Sequence, residues 1–145
     1  MGATLTLDFG RAVLALQPFS VLLGTELTVC SDGVAQLELV VSDRLRQQNG
    51  FVHGGVLSYL ADNALTFAGG LALGPAVVTA EYKINYLRPA LGERLIAKAS
   101  VLNFGKTQAV VRCDISMLKN GAETLCAAAQ GTIAKLPDSA KSPSN

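Results

Sequence analysis

The stretch HGGVLSYLAD, residues 53–62, decides the fold and raises the first functional question. It opens with the only histidine of the chain and two glycines, and it continues into an apolar run that contains Asp62. Residues 54 to about 69 have the length and hydrophobicity of a helix buried in a core, and Gly69-Gly70 is expected to end it. A carboxylate inside such a helix is costly to bury unless it is paired or used. Asp62 is therefore the first candidate functional residue.

The rest of the chain predicts strands around this helix. A short helix is expected over residues 9–18, and strands are expected at 21–30, 34–42, 77–87, 94–102, 108–118 and 123–136. No repeated strand–helix–strand spacing occurs, so the class is α+β with a mainly antiparallel sheet. The economical solution is a curved six-stranded sheet wrapped around the long helix. One domain is expected over residues 1–136, with 137–145 as a disordered tail.

The segment VVTAEYKINYL, residues 77–87, alternates apolar and polar residues as a half-buried strand does. Its pattern predicts one face made of Val78, Ala80, Tyr82, Ile84 and Tyr86. Thr79 is then expected on the opposite face.

Composition excludes several classes of protein. Lys plus Arg number 12 and Asp plus Glu number 11, so the chain offers no electrostatic surface for nucleic acid. Cys30, Cys113 and Cys126 form no CxxC pair, which argues against zinc and against a disulfide framework. Each is expected to be a small buried residue in a reducing cytoplasm. We expect no metal and no cofactor. We also expect no membrane partner, because the apolar run of residues 55–78 is interrupted by Asp62, Asn63, Gly69, Gly70, Gly74 and Pro75.

The start of the long helix is a candidate site for negative charge. The first N–H groups of a helix have no partner within it and carry partial positive charge. Gly54 and Gly55 lack side chains, so a phosphate or a developing oxyanion can approach their N–H groups closely. Taken alone, the two glycines favour the simpler interpretation that they only permit a tight turn.

Asp62 and the helix start are too far apart on one chain to act together on a small group. Eight residues separate Gly54 from Asp62, a helical rise of ~12 Å. If the helix start polarises a carbonyl while Asp62 attacks it or activates water, the two must come from different subunits. Two helices antiparallel across a two-fold axis would pair each start with the other chain's Asp62.

The helix also contains Thr66, which lies one turn after Asp62 on the same face. A carboxylate and a hydroxyl in this arrangement could hold a water between them. The alternative is that Asp62 simply faces solvent on an amphipathic helix. We favour it less, because apolar residues surround Asp62 on both sides in the sequence.

These residues resemble the hotdog-fold thioesterases, in particular the phenylacetate-pathway (PaaI-type) and aromatic acyl-CoA branch. The family pattern is G-x-x-HGG with an acidic residue eight positions after the first glycine of the pair, and residues 47–62 read QQNGFVHGGVLSYLAD. YLRPA at 86–90 and NFGKT at 103–107 also match. The resemblance extends over residues 18–136. It implies hydrolysis of an acyl-CoA thioester by a homodimer or homotetramer, a dimer of dimers.

The resemblance also implies roles for individual residues. Asp62 would be the nucleophile or the general base, and the Gly54 N–H of the other subunit would polarise the thioester carbonyl. His53 would brace the loop or contact the thioester, and Thr66 would orient the attacking water. Many members carry Asn six residues before the histidine, whereas this chain has Gln47, as some aromatic acyl-CoA members do. We expect Gln47 to orient the nucleophile and water.

Five further residues are candidates for substrate binding: Gly55, Asn49, Thr79, Arg88 and Lys106. The simpler interpretation of Asn49 is that it only forms the turn with Gly50. Thr79 falls where relatives carry a hydroxyl near the acyl group, although strand propensity explains it equally well. Arg88 and Lys106 lie near strand ends and could meet CoA phosphates, but each could equally be a solvated surface cation.

Two other functions fit the same fold. A non-catalytic sensor of acyl-CoA or acyl-carrier protein is the first, and the intact Asp62 argues against it. A hotdog dehydratase or isomerase is the second, and the position of His53 before the two glycines fits a thioesterase better. The sequence does not fix the acyl group; an aromatic or medium-chain group is expected from the resemblance.

Overall fold

The computed structural model describes residues 5–138, so the predicted disordered tail lies almost entirely outside the described residues. The helices are α1 (Leu7–Ala15), α2 (Pro18–Leu23) and α3 (Gly54–Leu73), with a 3-10 turn at Asp43–Leu45. The strands are β1 (Glu26–Ser31), β2 (Val34–Val40), β3 (Val77–Tyr86), β4 (Arg94–Phe104), β5 (Gln108–Lys119) and β6 (Ala122–Lys135).

The strands form one antiparallel sheet in the order β1-β2-β4-β5-β6-β3. Helix α3 packs against all six strands, because its apolar residues need a surface on more than one side. This arrangement confirms the predicted fold class, a long helix wrapped by a curved six-stranded sheet. Strands β1 and β3 lie at the edges, so each has one backbone side without a partner strand in the described chain.

The predicted end of α3 at Gly69-Gly70 is wrong. The helix continues to Leu73 and ends at Gly74, which has a positive φ of 99°. A Cβ at position 69 would lie 2.6 Å from Ile133 Cβ on β6. Gly69 therefore allows close packing of helix on sheet instead of terminating the helix.

The N-terminal region contains a helix that the sequence analysis did not predict. The strand expected over residues 21–30 begins only at Glu26, because α2 occupies Pro18–Leu23. Pro18 stands in the first turn of α2, where its missing N–H costs nothing, and Gly24 ends the helix in the left-handed conformation. The exposed apolar residues of α2 gave a strand-like pattern to a helical segment.

Strand β3 contains a bulge that reverses its faces. Its pairing with β6 shifts register between Thr79 and Glu81. The sequence pattern predicted that Val78 and Ala80 share a face with Tyr82, and this prediction is wrong. Val78 and Ala80 are exposed, whereas Thr79 and Tyr82 both turn toward α3. The bulge thereby aims the Thr79 hydroxyl at the helix.

Helix α3 is long and apolar enough to cross a membrane by length and composition alone, with a mean hydropathy of 1.3. Much of its surface is nevertheless covered by the protein's own sheet, and Leu60, Ala61, Ala64 and Leu65 have no exposed area. These features are those of a core helix.

Candidate active site

The Asp62 carboxylate is held by the Thr79 hydroxyl, which in turn lies against the Thr66 hydroxyl. Thr79 Oγ1 on β3 donates to Asp62 Oδ1 at 2.5 Å. Thr66 Oγ1 lies 2.9 Å from Thr79 Oγ1 and 2.9 Å from the Asp62 carbonyl oxygen, to which it can donate. The structure thus brings together three of the predicted site residues, although it is Thr79 and not Thr66 that contacts the carboxylate.

The donors in this group fix which carboxylate oxygen can react. An ionised carboxylate only accepts hydrogen bonds, so the single Thr79 proton must go to Asp62 Oδ1. Toward Thr66, Thr79 Oγ1 can then only accept, and the single Thr66 proton goes either to Thr79 Oγ1 or to the Asp62 carbonyl oxygen. Within residues 5–138, no donor contacts Asp62 Oδ2. The arrangement orients the carboxylate through one oxygen and leaves the other available to a substrate or a water.

Asp62 is less buried than the apolar sequence around it predicts. The side of α3 that carries Asp62, Asn63 and Thr66 is half-buried, and the opposite side lies fully in the core. The expectation of a carboxylate inside a buried helix is therefore corrected to one at the edge of the core. Because Asp62 is only partly buried, a reactant can reach its carboxylate, while the buried residues around it exclude water from the other side.

His53 braces the helix start. It is the N-cap of α3, and its Nδ1 accepts the Gly55 N–H at 2.8 Å. A Cβ at position 55 would stand 2.9 Å from that nitrogen, so only glycine fits beneath the ring. The Gly55 N–H is consequently occupied by His53 in this structure.

Gly54 presents the available N–H of the helix start. Among the described residues, none accepts a hydrogen bond from it. Its carbonyl oxygen accepts from Tyr86 Oη at 3.2 Å, and a Cβ at position 54 would lie 3.4 Å from the Tyr86 ring. Sequence reasoning missed Tyr86 as a site residue. Its place at the end of β3, as the first residue of the matching YLRPA stretch, was the available signal.

The loop before α3 is ordered around Gln47. Gln47 Oε1 accepts the Asn49 N–H, and the Gln47 N–H donates to the Phe51 carbonyl at 2.9 Å. Asn49 is exposed and serves this turn through its backbone. The amide nitrogen of Gln47 has no partner in the described part of the chain, so it is the polar group that the loop can offer to a ligand.

A cavity of about 400 Å³ joins the loop to the helix start. It is lined by Gln47, Phe51, Gly54 and Leu57, and by residues 86–90, which include Tyr86 and Arg88. Asp62 does not line it. Because α3 is an unbroken helix from Gly54 through Asp62, the predicted separation of ~12 Å between them holds.

The two candidate cations differ in position. Arg88 stands on the cavity wall, where its guanidinium donates to the Leu125 carbonyl at 3.1 Å. No carboxylate in residues 5–138 forms an ion pair with it. Lys106 is exposed in the connection between β4 and β5 and does not line this cavity.

All three cysteines are buried and take no part in the site. Burial raises the pKa of the Cys113 thiol to about 12, with a smaller contribution from the Asp114 charge. Burial likewise raises the pKa of Cys126 to about 11, and it also raises that of Cys30. Thiols of this kind react slowly, because the thiolate is the reactive form.

Residues 49–123 match the model of the thioesterase superfamily. The acyl-coenzyme A thioesterase PaaI of Escherichia coli is 32% identical over 94 residues, which cover 64% of this chain and 66% of that protein. A 1,4-dihydroxy-2-naphthoyl-CoA hydrolase of Listeria monocytogenes is 28% identical over 90 residues, or 61% of this chain and 73% of the other. The crystal structure of a thioesterase family protein from Silicibacter pomeroyi superposes with a TM-score of 0.82 at 31% identity, covering 86% of this chain and 93% of that one.

Proposed function

Since the chain belongs to the thioesterase superfamily and is a thioester hydrolase, as its sequence predicts, we propose that it hydrolyses an aromatic or medium-chain acyl-CoA. The observation that carries this proposal is the Asp62 carboxylate, fixed through Oδ1 by Thr79 and open at Oδ2. The bicyclic aromatic acyl group in the name of the Listeria relative supports the aromatic choice.

In the proposed reaction, Asp62 Oδ2 either attacks the thioester carbonyl carbon or removes a proton from the water that does so. Both routes need the same oxygen, held in a fixed direction. Both form an oxyanion at the former carbonyl oxygen and expel CoA as the thiolate. If Asp62 attacks, the acyl group remains as an anhydride on Asp62, and a water then hydrolyses this anhydride to the free acid. If water attacks, the free acid forms directly, and the proton taken up by Asp62 passes to the CoA thiolate or to solvent. Thr79 holds the carboxylate against rotation and Thr66 positions Thr79, which keeps Oδ2 directed at the carbonyl carbon.

The N–H that stabilises the oxyanion comes from the partner subunit in this proposal. The Gly54 N–H is unoccupied by any described residue, but it stands ~12 Å from Asp62 along one helix. A second protomer with an antiparallel α3 places the partner's Gly54 beside Asp62. The half-buried side of α3 and the unpaired edge of β3 are the surfaces that such a partner would cover.

The 400 Å³ cavity then receives the thioester end of CoA. Its walls offer the Gln47 amide for hydrogen bonding and the apolar faces of Phe51 and Tyr86 for the pantetheine arm. Arg88, with no carboxylate partner in the described chain, meets a CoA phosphate at the rim. Lys106 would add charge only at the outer surface, farther along the CoA.

A panel of acyl-CoAs with a thiol-reporting dye tests this function. We expect CoA release from aromatic and medium-chain substrates, with little background from the protein because its thiols are buried and have raised pKa values. Tight binding without release would instead identify an acyl-CoA sensor. An altered acyl group on an intact thioester would identify a dehydratase or isomerase.

A further inference from the structure

A second cavity, of about 140 Å³, lies between α1, α3 and the start of β3. Phe9 and Val13 of α1 form one wall, and Phe67 of α3 forms another. Val77 contributes from β3, and the polar residues of the lining are Gln17, Asn63 and Thr66. This cavity is separate from the one at the helix start, because the two share no lining residue.

Thr66 connects the small cavity to the reacting carboxylate. Its hydroxyl lies 2.9 Å from that of Thr79, which donates to Asp62 Oδ1 at 2.5 Å. The cavity therefore begins two hydrogen bonds from the carboxylate. Asn63, the residue after Asp62, also lines the cavity, which therefore adjoins the helical turn that carries the carboxylate.

A polar network between α2 and α3 borders the cavity through Gln17 and Asn63. Ser20 is only 1% exposed, and its Oγ lies 2.6 Å from Gln17 Oε1 and 2.5 Å from Tyr59 Oη. Asn63, next to Asp62, donates to the same Gln17 oxygen at 3.0 Å. A buried and satisfied network of this kind fixes the position of a segment. Both α1 and α2 lie outside residues 49–123, the part of the chain that matches the family model.

We propose that the small cavity binds the distal part of the acyl group and that Val13 sets its size limit. This inference rests on the proposed function and adds the location and dimensions of the acyl subsite. An apolar cavity of about 150 Å³ holds one benzene molecule. The apolar side of this cavity therefore has room for a phenyl ring or an aliphatic end of similar volume, and a longer acyl chain would meet Val13.

Two substitutions at Val13 change the cavity in opposite directions. Val13→Phe places a ring in the space, and we expect the ratio of kcat/KM for phenylacetyl-CoA to that for acetyl-CoA to fall about tenfold or more, the scale for lost pocket contacts. Val13→Ala enlarges the cavity, and we expect the ratio for decanoyl-CoA over phenylacetyl-CoA to rise. Opposite shifts in the two variants would not follow from a general loss of folding.

Ala12→Phe is the matched control, because residue 12 is exposed on the same helix and does not line the cavity. Its ratios should equal those of the wild type. The subsite would be overturned if Val13→Phe lowered kcat/KM equally for all substrates. It would also be overturned if the substrate ratios of kcat/KM stayed within twofold of wild type in both Val13 variants.

A binding measurement separates this proposal from the proposed function. The probe is an analogue of phenylacetyl-CoA in which a methylene replaces the sulfur, so that no turnover is needed, and the readout is titration calorimetry. We expect Val13→Phe to weaken its binding about tenfold or more relative to Ala12→Phe. Weaker binding in a chain that hydrolyses no acyl-CoA would contradict the proposed function while supporting the subsite. Unchanged binding would overturn the subsite whatever the activity.

Discussion

Asp62 has one carboxylate oxygen fixed by a hydroxyl and one without a partner in the described chain. A purely structural aspartate would be expected to have both oxygens satisfied or fully solvated. Here the carboxylate stands at the edge of the core, on a half-buried side of α3. That combination is what a nucleophile or general base requires, because direction and access are both provided.

Replacing Asp62 by Asn tests its role in the reaction. The amide keeps the size of the side chain but removes the basic oxygen, so we expect turnover to fall by about 10²-fold or more. Stability should change little, because the position is half open. Asp8→Asn, an exposed aspartate in the first turn of α1, is the control and should keep wild-type turnover. Wild-type turnover in Asp62→Asn would remove this residue from the mechanism.

The Thr79 hydroxyl gives a second test at this scale. Thr79→Val removes the donor to Asp62 Oδ1 at nearly constant volume. A hydrogen bond to a charged group contributes about 1.5–3 kcal/mol, so we expect kcat to fall about tenfold or more. Thr79→Ser retains the hydroxyl and should recover most of the activity. Equal loss in both variants would show that packing, and not the hydrogen bond, is what Thr79 supplies.

Gln47 is expected to affect turnover more than binding. Gln47→Ala removes the free amide nitrogen at the mouth of the larger cavity and the acceptor for the Asn49 N–H. If the amide positions the reacting groups, kcat should fall more than KM rises in steady-state assays with phenylacetyl-CoA. Gln48→Ala, an exposed neighbour, is the control. An unchanged kcat in Gln47→Ala would leave the amide without a role in catalysis.

Some of these residues could be predicted from the sequence and others could not. Asp62 is a candidate because it is a charged residue within an apolar helix, and Gly54 is a candidate because it is a glycine at the start of that helix. The contact of Thr79 with Asp62 could not be predicted from the sequence, because the bulge in β3 changes the face on which Thr79 lies. Tyr86 was missed because its contact with Gly54 joins residues 32 positions apart in sequence.

Among the elements, α3 depends on close contact with β6. Gly69→Ala would bring a Cβ within 2.6–2.7 Å of three Ile133 side-chain atoms, which all belong to a buried branched residue. We expect the free energy of unfolding to fall by about 1–3 kcal/mol, the usual cost of overpacking. Gly105→Ala is the control, since nothing lies within 4 Å of its Cβ position. Denaturant titration of both variants measures the difference, and equal stability would contradict the packing role.

The same contact explains why the end of α3 was predicted too early. A Gly-Gly pair after an apolar run ordinarily indicates a helix stop. At Gly69 the packing of the helix on Ile133 requires glycine for a reason that appears only when β6 is in place. Element type and order are readable from local pattern, whereas bulges and glycine contacts depend on neighbours distant in sequence.

For the whole molecule, the central claim is that each site combines Asp62 of one protomer with the helix start of another. The geometry of a single chain supports this, because the two groups stand on one rigid helix ~12 Å apart. A stable dimer or tetramer at micromolar concentration is therefore a premise of the mechanism. A monomeric mass with full activity would contradict it directly.

The most direct measurement mixes two inactive chains. Asp62→Asn lacks the reacting oxygen, and Gly54→Pro lacks the N–H while remaining suited to the first helical position, although the Tyr86 ring must give way slightly. After subunit exchange, verified with differently tagged chains, half of the dimers are mixed and each has one intact site. We predict that the equimolar mixture recovers about a quarter of wild-type turnover while each parent stays inactive. Mixed dimers that form and show no activity above the parents would contradict the shared site.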